Sequence, residues 1–157
     1  MVLSYEMLEK EVVEILSNNK IWVIATSAND RVSARCVCIV NQGLKIYFQT
    51  HGDYLKCKQI RENNKVALCW NNVQIEGIAT IKGNPFEEEN SEFIRLYQKD
   101  HKSSFDKYTK LDGQVVIEIE PKLISMWKYI DAVPYIDYLS IEDKKAVRER
   151  QKYMQQG

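Results

Sequence analysis

The chain carries no excess charge of either sign: its 22 basic side chains cancel its 22 acidic ones. No overall field therefore draws it to nucleic acid or to an anionic membrane, and any anion site must be local. A basic stripe is missing too. Tyr47, Phe48 and Trp70 offer stacking faces, but no cluster of Lys and Arg interleaves them, so a nucleic-acid module is not expected. No apolar run approaches the roughly 20 residues that a bilayer span requires. The first residues lack the basic-then-apolar layout of a signal peptide. A cytoplasmic protein without a membrane role is the expectation. Histidine is scarce, with only His51 and His101 among the 2 present. The four cysteines, Cys36, Cys38, Cys57 and Cys69, form no Cys-x-x-Cys and have no histidine nearby to complete a metal site. They read either as small buried side chains or as part of a soft-metal site, since Cys36 and Cys38 share one face of a strand. Repeats and low-complexity segments are absent.

What remains is an ordinary folding composition, 45% apolar and 28% charged over 157 residues. That length suits one domain over residues 1–157, with a core at about 5–130 and a helical or frayed tail at about 140–157. Ser4 is placed to cap a helix over 5–16, where Leu8, Val12, Ile15 and Leu16 recur at helical spacing. Strand patterns follow at 20–27 and 31–40 across an Asn29-Asp30 turn, and at 44–50 after Asn41-Gln42-Gly43. A helix over 54–61 is expected with Asp53 as its cap. Strands at 65–70 and 73–83 come next, and Gly77 marks a bulge or a close approach. Helical spacing returns at 86–99, with a shorter helix over 102–108. Strands at 114–119 and 123–130 are expected on either side of Pro121. About six strands in antiparallel order point to a small barrel or sandwich with added helices.

Chemistry concentrates between Arg31 and Trp70. Arg35 stands in a strand made otherwise of Val32, Ala34, Cys36, Val37, Cys38, Ile39 and Val40. An arginine there either snorkels to solvent, pairs with a carboxylate such as Glu76, or meets an anion, because burying it alone is expensive. Its fork of donors suits phosphate. Thr50 ends a strand, and His51-Gly52-Asp53 leads into a helix whose first turn carries Lys56. A hydroxyl, an ammonium and helix N-terminal amides make a phosphate cradle. Asp53 opposes such a cradle unless it points away.

The succession Arg35-Cys36-Val37, then Tyr47 to Thr50 (YFQT), a lysine-bearing helix, Asn63 to Leu68 (NNKVAL) and Val73 to Ile81 (VQIEGIATI) resembles the FMN-binding split-barrel family of pyridoxamine 5'-phosphate oxidase. The resemblance implies a mainly β fold with added helices, a six-stranded antiparallel Greek-key split barrel. It also implies a homodimer with FMN in clefts between subunits. By position, Arg35 and Lys56 would hold the FMN phosphate with Thr50 beside it. Cys36 and Val37 would lie along the isoalloxazine ring, and Gln74 would reach it from the neighbouring subunit; read from the residues themselves, a flat ligand needs apolar walls, which Val37 with Trp70 or Tyr47 could supply. Two departures stand out. Tyr54-Leu55-Lys56 replaces the family's serine and second basic residue, and Ile124 to Tyr129 (ISMWKY) lacks the arginine–histidine substrate signature. The implied function is thus an FMN-dependent oxidoreductase acting on an unassigned small substrate or electron acceptor. The alternatives are an FMN-binding or electron-carrier protein without turnover, a relative holding heme or another ligand, and a ligand-free dimer.

Overall fold

A computed structural model describes residues 1–152. The chain runs β1 (Val2–Leu3), α1 (Tyr5–Asn18), β2 (Ile21–Ala28), β3 (Arg31–Cys38), β4 (Val40–Gln42), β5 (Lys45–His51) and α2 (Leu55–Glu62). It continues through β6 (Lys65–Trp70), β7 (Val73–Ile81), α3 (Ser91–Asp100), β8 (Gln114–Ile130), β9 (Val133–Ser140) and β10 (Lys145–Arg150). A one-turn helix at Lys102–Ser104 runs into a wider turn over Phe105–Thr109. No helix among the described residues is long and apolar enough to cross a membrane.

Local chemistry explains most of these elements. The Ser4 hydroxyl accepts from the Met7 amide and caps α1, whose Leu8, Val12 and Leu16 face the core. Asn29 and Asp30, at φ 51° and 63°, form the two-residue turn between β2 and β3. The main core joins the α1 stripe to Trp22, Ile24, Ile46, Phe48, Leu68, Ile75, Ile119 and Ile124. A second cluster of Val40, Phe93, Tyr97, Phe105 and Val116 lies under α3 on the other side of β5.

The sheet corrects the expected architecture. Its ten strands run in the order β1-β10-β9-β8-β7-β6-β2-β3, with β5 pairing β8 and β4 to one side. Every ladder is antiparallel. The expected six-stranded Greek-key split barrel does not hold: four more strands are present, and no ladder among the described residues joins β3 back to β1 to close the sheet. The observed strands depart from the expected ones at four places: β1 is added, 31–40 divides into β3 and β4, the two strands about Pro121 are one, and β9 and β10 follow β8. Pro121 does not end a strand, because the β7–β8 register shifts between Glu76 and Gly77 and leaves Lys122 as the extra residue beside it. The missing proline N–H falls at this irregularity, so β8 continues for 17 residues. The charged tail is also not helical. β9 returns from β8 through Asp131-Ala132, both at positive φ, and β10 pairs with β9 and β1. The remainder of the expected tail, residues 153–157, lies outside the described residues.

Gly77 is required by this bulge. A Cβ there would lie 2.7 Å from the Glu120 carbonyl oxygen and 3.0 Å from Ile119 Cγ2. Gly77→Ala is therefore expected to lower stability by about 1–3 kcal/mol, the usual scale of overpacking. A urea unfolding midpoint checks this, and a midpoint equal to the parent's would contradict it.

Candidate functional site

Directly opposed residues of an antiparallel pair share a face. On β3, Ser33, Arg35 and Val37 lie opposite Thr26, Ile24 and Trp22, all buried, so Arg35 projects to the inner face of the sheet. There its Nη1 donates to Thr26 Oγ1 at 2.7 Å and to the Ser33 carbonyl at 3.4 Å. The Thr26 hydroxyl in turn donates to Gln59 Oε1 on α2, and Gln59 Nε2 donates to the Arg31 carbonyl at 3.0 Å.

The same helix supplies the second cation. Thr50 follows Ile46 and Phe48 on the inner face of β5, and Lys56 Nζ donates to Thr50 Oγ1 at 2.7 Å. The Tyr54 ring, 59% exposed, lies 5.0 Å from the ammonium and 5.3 Å from the His51 ring. His51 is lodged against Gly113, where a Cβ would meet its Nε2 at 2.3 Å, while its Nδ1 accepts from the Asp53 amide.

Burial lowers the Lys56 pKa from its ordinary value, and the Arg35 charge lowers it further. Burial also lowers that of Arg35, although a guanidinium stays protonated at any working pH. Among the described residues neither cation joins an ion pair. Glu76, the carboxylate considered as a partner for Arg35, stands on the opposite face in register with Ala67 and Ala25. Asp53 does not cap α2. It is exposed, its carboxylate 4.0 Å from His51 Nδ1, and Tyr54 occupies the cap position without a side-chain bond. The first amides of an eight-residue helix are thus left without a side-chain acceptor. Two half-buried cations, a hydroxyl and an open helix start form a donor set suited to a doubly charged phosphate.

The other expected residues fall elsewhere. Tyr47 is on the opposite face of β5, against the cluster under α3, and burial followed by Glu118 raises its pKa. Val37 is buried beside Trp22. Cys36 is exposed on the outer face, in one row with Val23, Cys69 and Gln74. With strands ~4.8 Å apart, Cys36 and Gln74 stand roughly 14 Å from each other in one chain. All four cysteines are free; only Cys57 is fully buried, so packing as small core side chains does not describe Cys36 and Cys69. No group of three His, Cys, Asp or Glu side chains among the described residues could hold a metal ion. Sequence reasoning passes over Thr26 and Gln59. Their signal was polarity at positions where the strand and helix periods call for apolar side chains.

The pyridoxamine 5'-phosphate oxidase family model matches residues 8–128. The chain belongs to this family. It is a divergent member of a flavin-binding group, and no curated protein matches it. Among solved structures, a candidate pyridoxamine 5'-phosphate oxidase from Listeria innocua is 23% identical with a TM-score of 0.60, covering 76% of this chain and 97% of its own. HutZ, the heme storage protein of Vibrio cholerae, is 14% identical with a TM-score of 0.63, over 73% of this chain and 90% of its own. A pyridoxamine 5'-phosphate oxidase-related, FMN-binding protein from Nostoc punctiforme is 11% identical with a TM-score of 0.61, over 94% and 95%. At these identities the likeness is one of fold.

Proposed function

We propose that the chain binds FMN and serves as a flavin-dependent oxidoreductase for a small substrate or electron acceptor. The observation that carries this reading is a pair of cations, Arg35 and Lys56, each bonded to a buried threonine hydroxyl next to α2, with neither in an ion pair among the described residues. Such an arrangement is unfavourable unless an anion is taken up. Arg35, Lys56, Thr50 and the start of α2 would hold the phosphate. Bound flavin supplies the hydride or electron transfer, while the chain binds, orients and controls water access. FMN binding by the Nostoc punctiforme relative supports the choice of ligand.

We extend the proposal to a homodimer. The outer face of β2 and β3 leaves Ile21 58% and Val32 74% exposed, next to Val23, Ala34, Cys36 and Cys69. An apolar sheet face of this kind suits a second copy. It would also bring the partner's copy of the Cys36–Gln74 row toward the flavin, with Cys36 and Val37 of one chain along the ring. Tyr47 has no part in this scheme.

The heme reading is disfavoured by the histidines' existing bonds. His101 Nε2 is 2.7 Å from the Ile39 carbonyl, and His51 is held by Asp53 and Gly113. The test is an absorbance spectrum of purified protein with and without added FMN. Perturbed isoalloxazine bands at one flavin per chain are expected; a spectrum equal to the sum of free FMN and protein would contradict the proposal.

The same site sets a pH dependence. A bound phosphate favours charged Lys56, so the complex holds this proton to higher pH than the free protein does. FMN affinity is expected to be full between the second phosphate pKa, about 6, and the lowered Lys56 pKa of the free protein, and to fall as pH rises through the latter. Lys56→Arg should flatten that alkaline decline in a fluorescence-quenching titration. Parallel declines in both proteins would remove Lys56 as the cause.

A further inference from the structure

We propose that Thr26 and Gln59 are positioning residues that present the Arg35 guanidinium to a phosphate, an inference that rests on the phosphate reading above. The direction of each hydrogen bond follows from the one before it. Gln59 Nε2 donates to the Arg31 carbonyl, which turns Oε1 toward Thr26. The Thr26 hydroxyl has a single proton and gives it to Oε1, so it meets Arg35 with lone pairs only. A flipped Gln59 amide would set two oxygens face to face at Arg31.

Thr26 and the Ser33 carbonyl together engage Nη1 of Arg35. The other edge of the guanidinium, Nε and Nη2, makes no hydrogen bond to the described residues. That edge carries the parallel pair of N–H groups that matches two phosphate oxygens. The relay thus anchors one side of the fork and leaves the recognition side open. It also joins both cations mechanically, because Gln59 and Lys56 belong to the same helix and Thr26 belongs to the strand paired with β3. Thr26 and Gln59 are 2% and 3% exposed, so neither hydroxyl nor amide is present to meet solvent. No buried side-chain polar atom among the described residues lacks a partner.

The experiment compares FMN and riboflavin binding by fluorescence quenching in the full chain, its Thr26→Val and Thr26→Ser variants, and Gln59→Glu. Thr26→Val keeps the shape of the side chain and removes the relay; it should weaken FMN about tenfold and leave riboflavin unchanged. Thr26→Ser restores the hydroxyl and should bind FMN as the parent does. Gln59→Glu gives up the Arg31 anchor and sets a carboxylate near Arg35 that competes with phosphate, so its loss should exceed that of Thr26→Val. It carries the test if Thr26→Val does not fold. In the ligand-free parent, nitrogen NMR should show a resolved, slowly rotating Arg35 guanidinium that becomes averaged in Thr26→Val. A parent that prefers FMN while Thr26→Val and Gln59→Glu keep the same preference overturns this inference alone. A parent with no preference for FMN over riboflavin overturns the phosphate reading and the inference with it.

Discussion

Replacing Arg35 by alanine is expected to weaken FMN binding by about ten- to a hundredfold, the scale of a lost charge-assisted hydrogen bond. The same change should leave the ligand-free protein as stable as before or slightly more so. Both expectations have one cause. Arg35 is half-buried, has no ion-pair partner among the described residues, and pushes against Lys56. In the absence of an anion its charge is a cost, and alanine relieves it. Arg35→Lys should fall in between, since an ammonium keeps the charge but not the paired donors. FMN titration together with thermal melting of the apo-protein checks the pair. A purely structural arginine would give the opposite pattern: a destabilised apo-protein whose surviving folded fraction binds FMN normally.

The second large effect lies in the carboxy-terminal sheet. Asp137 on β9 is fully buried, with Arg148 Nε and an Nη at 2.7 and 2.8 Å and Lys128 Nζ at 2.9 Å. Lys128 also reaches Glu11 on α1 at 2.9 Å, which ties the hairpin to the first helix. Burial by itself raises the Asp137 pKa, but the bonds from Arg148 and Lys128 outweigh it and hold the carboxyl below its ordinary value of 3.8. Asp137→Asn is expected to cost about 3 kcal/mol, the lower end for breaking a buried pair, because Glu11 remains beside Lys128. Glu11→Gln, at the exposed end of the network, should cost less than about 1 kcal/mol. The depressed folded pKa fixes the pH sense. The Asp137 contribution is complete above the unfolded carboxylate range and is lost as pH falls through the folded value. The gap between parent and Asp137→Asn should therefore close in acid. Urea midpoints across that range test this, and a gap that is constant with pH would remove the charge network as its source.

Parts of the site were legible from residue type and parity. Arg35 was conspicuous because it interrupts an apolar strand, and Thr50 and Lys56 because they bracket a strand-to-helix turn. Parity on β5 already separates Tyr47 from Phe48 and Thr50, and the structure places Tyr47 on the opposite face from the Thr50 hydroxyl. Asp53 satisfied the usual preference for a helix cap, yet the chain gives that position to Tyr54 and leaves Asp53 in solvent. Capping preference is a local energy of about 1 kcal/mol, which the path of the turn readily overrides. Thr26 and Gln59 were passed over because their meaning depends on a contact between residues 33 positions apart.

The strand boundaries failed for similar reasons. A proline normally ends a ladder, but Pro121 falls at the bulge opposite Gly77, and only the partner strand reveals that. The 145–150 stretch is rich in charge, which suggests a solvated helix when read alone. On the sheet, Ala146 enters the core and Arg148 binds Asp137, so the same letters suit a strand. The functional resemblance, carried by residues in the first half of the chain, was insensitive to these later elements.

The central claim is that Arg35 and Lys56 converge on one phosphate, and paired titrations of the purified protein with FMN and with riboflavin test it most directly. The two ligands share their ring and differ in the phosphate. FMN is expected to bind about a hundredfold more tightly, with that advantage abolished in the Arg35→Ala/Lys56→Ala double variant. Equal affinity for the two flavins, or an advantage that survives loss of both cations, would contradict it.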